Sequence, residues 1–226
     1  ATATTTTAQQ TTSNSSLLKA AATSSSSTST GTMDVSTIAK NAMPSIVSIT
    51  NQSVQEVQNY FSMFGYGAQT PQTEETTSCG SGIIVSQDAD NLYIATNNHV
   101  VEGADSLTVA FSDNTTVSAE IKGTDPSTDL AVIRVALSSI DSDTLNTIKV
   151  ATLGNSDDLK AGQAAIAIGN ALGYGQSVTT GVISALNREV TVSDSNSNTN
   201  YTAELIQTSA AINPGNSGGA LLNAAG

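Results

Sequence analysis

Three side chains of this sequence have the types needed to turn a serine into a nucleophile. The serine is Ser217, set in Asn213-Pro214-Gly215-Asn216-Ser217-Gly218-Gly219 and followed by the strand-like Ala220-Leu221-Leu222. A serine hydroxyl attacks poorly at neutral pH unless a base takes its proton and donors stabilise the oxyanion that forms. Without a Cβ, Gly215 can adopt backbone angles that turn its own N–H and that of Ser217 toward one point, so these amides are the candidate oxyanion hole. The chain has a single histidine, so the candidate base is His99, where the β-type run Tyr93-Ile94-Ala95-Thr96 ends in the polar Asn97-Asn98. That places the imidazole at a strand end beside a cleft. Asp129 opens the apolar run Leu130-Ala131-Val132-Ile133-Arg134-Val135. A carboxylate at the start of a buried strand can be shielded from water while it accepts the imidazole N–H and fixes its tautomer.

Each residue also has a plain structural reading. A lone histidine is commonly a satisfied core or surface residue, an aspartate before an apolar run is commonly a turn or cap, and a serine among glycines is commonly a flexible loop. Together those readings need three coincidences, and the order His, Asp, Ser is the one found in chymotrypsin-like hydrolases. Catalytic design is the stronger reading.

The surrounding stretches carry a resemblance. Gly80-Ser81-Gly82-Ile83-Ile84, Thr96-Asn97-Asn98-His99-Val100, Thr128-Asp129-Leu130-Ala131-Val132, Ala167-Ile168-Gly169-Asn170, Thr180-Gly181-Val182-Ile183-Ser184 and Ala211 through Gly219 occur in that order. From about Met43 to Asn223 the chain resembles the protease domain of the HtrA/DegP family, trypsin-like serine proteases of protein quality control. The resemblance implies an all-β, chymotrypsin-like double β-barrel with the triad in the cleft, His99 and Asp129 coming from the first barrel and Ser217 from the second. It implies unfolded polypeptides as substrates, no cofactor or metal, an extracytoplasmic location, and a homotrimer as the assembly. One departure is Ser209, where the family commonly carries Asp.

In trypsin-like proteases, a carboxylate six residues before the nucleophile selects basic side chains. Here that position is Ala211, followed by Ile212 and Asn213. A cation in such a pocket would be desolvated without a partner, so the resemblance implies that these three residues line an S1 site for small or medium aliphatic side chains.

Composition narrows the classes. Hydrophobic residues make up 38% of the chain, but aromatics only 4% with no Trp, so Val, Ile, Leu and Ala must build the core. The net charge of −12 argues against a nucleic-acid or anionic-membrane binder. With one cysteine, Cys79, neither an intrachain disulfide nor a cysteine-based zinc site can form. No apolar run is long enough to cross a bilayer, so membrane contact is expected only through an anchor outside this chain.

The elements that must position these residues follow from periodicity. Residues 1–32 are mostly Thr, Ser and Ala, cannot offset their ordering entropy by burial, and read as a disordered linker before a protease domain at 33–226. Asp34 is placed to cap a short N-terminal helix with Val35, Ile38, Ala39 and Ala42 on one face, ended by Pro44. Ser45–Thr50 reads as the first strand. Residues 51–77 form a polar excursion carrying Tyr60, Phe61, Met63, Phe64 and Tyr66, either a satellite core or a regulatory loop. Short strands are then predicted near 79–86, 92–96, 106–111, 116–121 and 130–135 for one barrel, and near 164–169, 178–187, 201–207 and 218–223 for the other.

Asp194-Ser195-Asn196-Ser197-Asn198 begins like a calcium loop, but Thr199 stands where Gly is needed and Leu205 where Glu is needed. Gly173-Tyr174-Gly175 reads as a hairpin turn. The chain stops at Gly226, nine residues after Ser217. A chymotrypsin-like second barrel needs two further strands there, so the second barrel is expected to be incomplete and residues 1–226 alone inactive. Three functions are compatible with these features: a serine endopeptidase, a non-cleaving module that holds unfolded segments, and a surface protein with an inert barrel. The retained His99, Asp129, Ser217 and glycines favour the first.

Overall fold

The computed structural model describes residues 33–57, 72–170, 176–194 and 199–226. The expected linker at 1–32, the aromatic cluster from Tyr60 to Tyr66 and the Gly173-Tyr174-Gly175 turn lie outside them. So does most of the calcium-like loop.

The first helix, α1 (Val35–Ala42), starts where the sequence places its cap. The Asp34 carboxylate accepts the N–H groups of Ser36 and Thr37 at 3.1 and 3.3 Å. The Ser36 and Thr37 hydroxyls bond it too and hold its pKa down at about 2. Pro44 sits in the tight turn that follows. The inward face of α1 packs Ile38, Ala39 and Ala42 against Ile46, Ile166, Ile168 and Ala220.

Six strands follow in the first sheet: β1 (Ile46–Val57), β2 (Gln72–Gln87), β3 (Asn91–Thr96), β4 (Ser106–Ala110), β5 (Thr116–Asp125) and β6 (Leu130–Ala136). They close into an antiparallel barrel in the order β1-β2-β3-β6-β5-β4. The two-residue alternation of the sequence decides which side chains face inward. Leu92, Ile94 and Thr96 of β3 are buried, as are Ala131, Ile133 and Val135 of β6. With Val47, Ile49, Ile84, Val109 and Phe111 the apolar ones among them form one core.

The second sheet contains β7 (Ala164–Asn170), β8 (Gln176–Asp194), β9 (Thr199–Thr208) and β10 (Ala220–Leu222), in the order β10-β7-β8-β9. The architecture is therefore a closed barrel beside an open four-stranded sheet. The second barrel is incomplete, as expected.

Two expectations need correction. The excursion at 51–77 is strand at both ends, because β1 and β2 stay paired from Asn51↔Ser78 out to Val57↔Gln72. The β8–β9 pair likewise runs out to Asp194↔Thr199, past its predicted ends. Paired strands satisfy each other's backbone groups whatever their side chains, and no continuous apolar run marks these arms in the sequence.

Two short helices were also not predicted. They are α2 (Asn98–Val101) and α3 (Ser142–Thr147). Asp141 caps α3 by accepting the Thr144 N–H at 2.8 Å. The buried Thr144 hydroxyl bonds Asp113 and Thr115, tying α3 to the β4–β5 turn. Burial pushes the Asp113 carboxyl up, but the bonds from Thr144 and Thr115 outweigh it and hold the group below the usual carboxylate range.

Candidate active site

His99 is presented by α2 rather than by the strand end itself. This single turn buries Asn98, Val100 and Val101 and leaves His99 facing outward. Asn51 of β1 holds the turn from below, its Nδ2 donating to Val100 O at 3.1 Å and Glu102 O at 3.0 Å. The Asn51 Oδ1 is buried without a partner among the described residues.

Asp129 lies in the turn before β6 with φ of 52°, a left-handed conformation that aspartate tolerates better than most residues. Its Oδ2 stands 2.8 Å from His99 Nδ1 and its Oδ1 accepts the His99 backbone N–H at 3.0 Å. Its own carbonyl accepts the Asn98 N–H at 3.1 Å and Asn97 Nδ2 at 2.8 Å. One residue thus grips both the ring and the backbone of α2. A carboxylate on Nδ1 selects the tautomer with its proton there, leaving the Nε2 lone pair open to accept another. The pair is less shielded than the sequence suggested: the His99 and Asp129 side chains are 53% and 32% exposed. The reason is that Asp129 occupies the turn, not the buried strand.

Ser217 sits between two consecutive tight turns, closed by Asn216 N–H to Asn213 O at 3.0 Å and Gly219 N–H to Asn216 O at 2.8 Å. Gly215 and Gly218 have φ of 93° and 80°. A side chain at Gly218 would run into the Ser81 carbonyl and the Thr96 hydroxyl, so the turn lies flat on the first barrel. A Cβ at Gly80 would fall 2.7 Å from the Val100 methyls and 3.1 Å from Ser217 O. That glycine lets α2 and the serine turn meet over the same point of β2. Among the described residues, the N–H groups of Gly215 and Ser217 have no hydrogen-bond partner, and no hydrogen bond joins His99 to Ser217.

Ala211, Ile212 and Asn213 run exposed into the turn, with Ile212 60% exposed. Thr179 Oγ1 donates to Ala211 O at 2.8 Å. Ser209 uses its hydroxyl to accept the Val182 N–H at 3.0 Å, and residues 209–217 include no ionisable side chain. Among the described residues no three His, Cys, Asp or Glu side chains gather in a metal-sized cluster. The hollow of about 220 Å³ beneath α1, lined by Ile38, Ile46, Ile83, Ala220 and Leu222, touches none of His99, Asp129 and Ser217.

Residues 80–226, more than half of the chain, match the trypsin-like peptidase domain. The chain is 41% identical over 194 residues to the serine protease Do-like HtrA of Bacillus subtilis, covering 85% of this chain and 40% of that one. It belongs to the HtrA/DegP family of trypsin-like serine proteases. A probable periplasmic serine endoprotease DegP-like of Halomonas elongata is 39% identical over 213 residues, covering 84% of this chain and 41% of that protein. The HtrA-type protease AlgWS227A with decapeptide superposes with a TM-score of 0.67 at 35% identity, over 84% of this chain and 55% of that one. The fold is the chymotrypsin-like fold of that family, a closed barrel with a half-barrel. The chain spans about 40% of the length of these curated HtrA and DegP-like relatives.

The sequence missed the support of this site. Asn51, Asn97, Ser81 and Asn170 all bond into it, yet each is an ordinary polar residue in an ordinary strand or turn. The signals available were the stretches that hold three of them, Gly80-Ser81-Gly82, Thr96-Asn97-Asn98-His99 and Ala167-Ile168-Gly169-Asn170; Asn51 had none.

Proposed function

We propose that this chain is the catalytic domain of a serine endopeptidase that cuts unfolded polypeptides outside the cytoplasm. Ser217 is the nucleophile, His99 the general base and Asp129 its orienter. His99 Nε2 takes the proton as Ser217 Oγ bonds to the scissile carbonyl carbon, and the N–H groups of Gly215 and Ser217 receive the oxyanion. The imidazolium then passes that proton to the departing amine, and a water repeats the cycle on the acyl-enzyme. The observation that carries this reading is the double hold of Asp129 on His99, made beside a serine turn whose two donor amides are unengaged.

Ala211, Ile212 and Asn213 form the S1 wall and accept small or medium aliphatic side chains, since no carboxylate there could pair with a cation. Such residues are buried in folded proteins and exposed in unfolded ones, which supports unfolded chains as the substrates. The likeness to the probable periplasmic serine endoprotease of Halomonas elongata supports the location.

The test uses the full gene product, an unfolded protein substrate and a fluorophosphonate probe. Ser217→Ala should abolish labelling, and both Ser217→Ala and His99→Ala should lower kcat by about 10⁴-fold or more. Near-wild-type hydrolysis by Ser217→Ala would sink the assignment.

A further inference from the structure

The triplet Gly80-Ser81-Gly82 has a reason to be small, but that reason does not account for the hydroxyl. Gly80 makes room for Val100 and Ser217, and Gly82 for Ile94 and Ile49, whose methyl groups would lie 2.6 and 2.9 Å from an added Cβ. Alanine at 81 would be as small as the fold needs. Ser81 is nevertheless wholly buried with every polar atom in use. Its Oγ donates to Gly215 O at 2.7 Å and accepts the N–H of Asn170, the last residue of β7, also at 2.7 Å. Its N–H donates to Ser217 O at 2.7 Å, and its carbonyl accepts Thr96 Oγ1 at 2.7 Å. One residue of the first barrel therefore grips the serine turn on both sides of Asn216, the end of a strand in the other sheet, and the end of the strand leading to His99.

The Gly215–Asn216 peptide is held at both ends, its oxygen by Ser81 and its N–H by Asn213 O. A planar peptide fixed at both ends cannot rotate, and its rotation is what a glycine at φ 93° would otherwise permit. The Asn216 side chain makes one long polar contact, accepting from Ser177 Oγ at 3.5 Å; its Nδ2 is buried without a partner among the described residues.

We propose that the Ser81 hydroxyl is a positioning residue for acyl transfer, clamping the Gly215 carbonyl to the first barrel and so aiming the Gly215 and Ser217 amides at the oxyanion. The proposal rests on the protease reading above.

The test compares Ser81→Ala with Thr144→Val in the full gene product. Thr144 is a buried hydroxyl bonded to Asp113 and Thr115, outside the site. Ser81→Ala should speed amide hydrogen exchange at Asn170 and Asn216 by about fivefold or more, leaving Ile94 unchanged. It should lower kcat and the fluorophosphonate labelling rate by about ten- to a hundredfold, with KM nearly unchanged. Thr144→Val should lower the melting temperature and leave exchange at those amides, labelling and kcat alone. Wild-type kcat in Ser81→Ala, whatever its melting temperature, overturns the proposal, as does unchanged exchange at Asn170 and Asn216. Should Ser81→Ala not fold, Ser81→Cys, with a weaker donor of similar size, should show a reduced kcat at wild-type KM, and a wild-type kcat again overturns it. An active Ser81→Ala beside an inactive Ser217→Ala removes only this proposal. Activity in Ser217→Ala, or a wild-type protein that neither cuts nor labels, removes the protease reading and this proposal together.

Discussion

The first sheet closes on itself and surrounds Phe111, Ile94 and Ile133 with apolar neighbours on every side, whereas the second has two open edges. Its core is Ile166, Ile168 and Ala220, completed by Ile46 and by Ala39 of α1. Val182, Leu205, Ile206 and Leu221 of the second sheet remain more than a third exposed. The site follows the same division. The His99–Asp129 pair is assembled by bonds internal to the closed barrel. The serine turn, which leads into the open sheet, is anchored on both: on the closed barrel through Ser81 and the tight fit over Gly80, and on its own sheet through the close packing of Asn216 on Gly169 and its contact with Ser177. The difference teaches that the His99–Asp129 pair is ordered within one barrel, whereas the Ser217 turn is ordered where the two sheets meet.

The largest effect that can break this comparison is expected at Asp129. Asp129→Asn should lower kcat by about 10⁴-fold while the fold persists, because the amide cannot hold His99 in the tautomer that accepts the serine proton. Stopped assays on protein shown folded by circular dichroism would check this, and a loss of less than about tenfold would mean that the pair is not what orders the site.

The next effect separates the two cores directly. Ile133→Ala and Ile168→Ala remove the same atoms from sites that are 0% and 1% exposed. Ile133→Ala should cost about 4 kcal/mol, and Ile168→Ala about 2–3 kcal/mol, since an open sheet can relax into the space and a closed barrel cannot. Urea melts of both variants measure the difference. A larger cost at Ile168 would reverse the comparison.

The smallest effect belongs to the cap of α1, which packs on Ile46 of the closed barrel and on Ile166, Ile168 and Ala220 of the open sheet. The Asp34 pKa is about 2 in the folded protein against an ordinary 3.8, so its contribution is complete above about pH 4 and is lost as pH falls through about 2. Asp34→Ala should lower the melting temperature by a few degrees at most at neutral pH, and by clearly less at pH 2, where the carboxyl is already half protonated. Scanning calorimetry at the two pH values checks the sign, and an equal loss at both would show that the charge is not what caps α1.

Legibility varied with the range of the interaction. The strands β3, β4, β6 and β7 were readable because each alternates or concentrates its apolar residues within a few positions. The outer arms of β1–β2 and β8–β9 were not, because their pairing is carried by backbone groups that every residue type has. The helix α2 was missed because four residues are too few to show a period. Its formation depends on Asn51, which is remote in sequence, and on Asp129.

The sequence by itself determined the chemistry on offer: one histidine, an aspartate at the head of an apolar run, a serine in a glycine turn, and their order. Those are local facts of residue type, and local facts survive without a fold. Only the tertiary structure decided that Asp129 would hold α2 by ring and backbone together and remain partly open to water. It also decided that Ser81 would join β2, β3, β7 and the serine turn in one buried network. Hydrogen bonds between residues 134 positions apart, as in Ser81 to Gly215, are set by how two sheets pack, and neither segment carries a mark of the other.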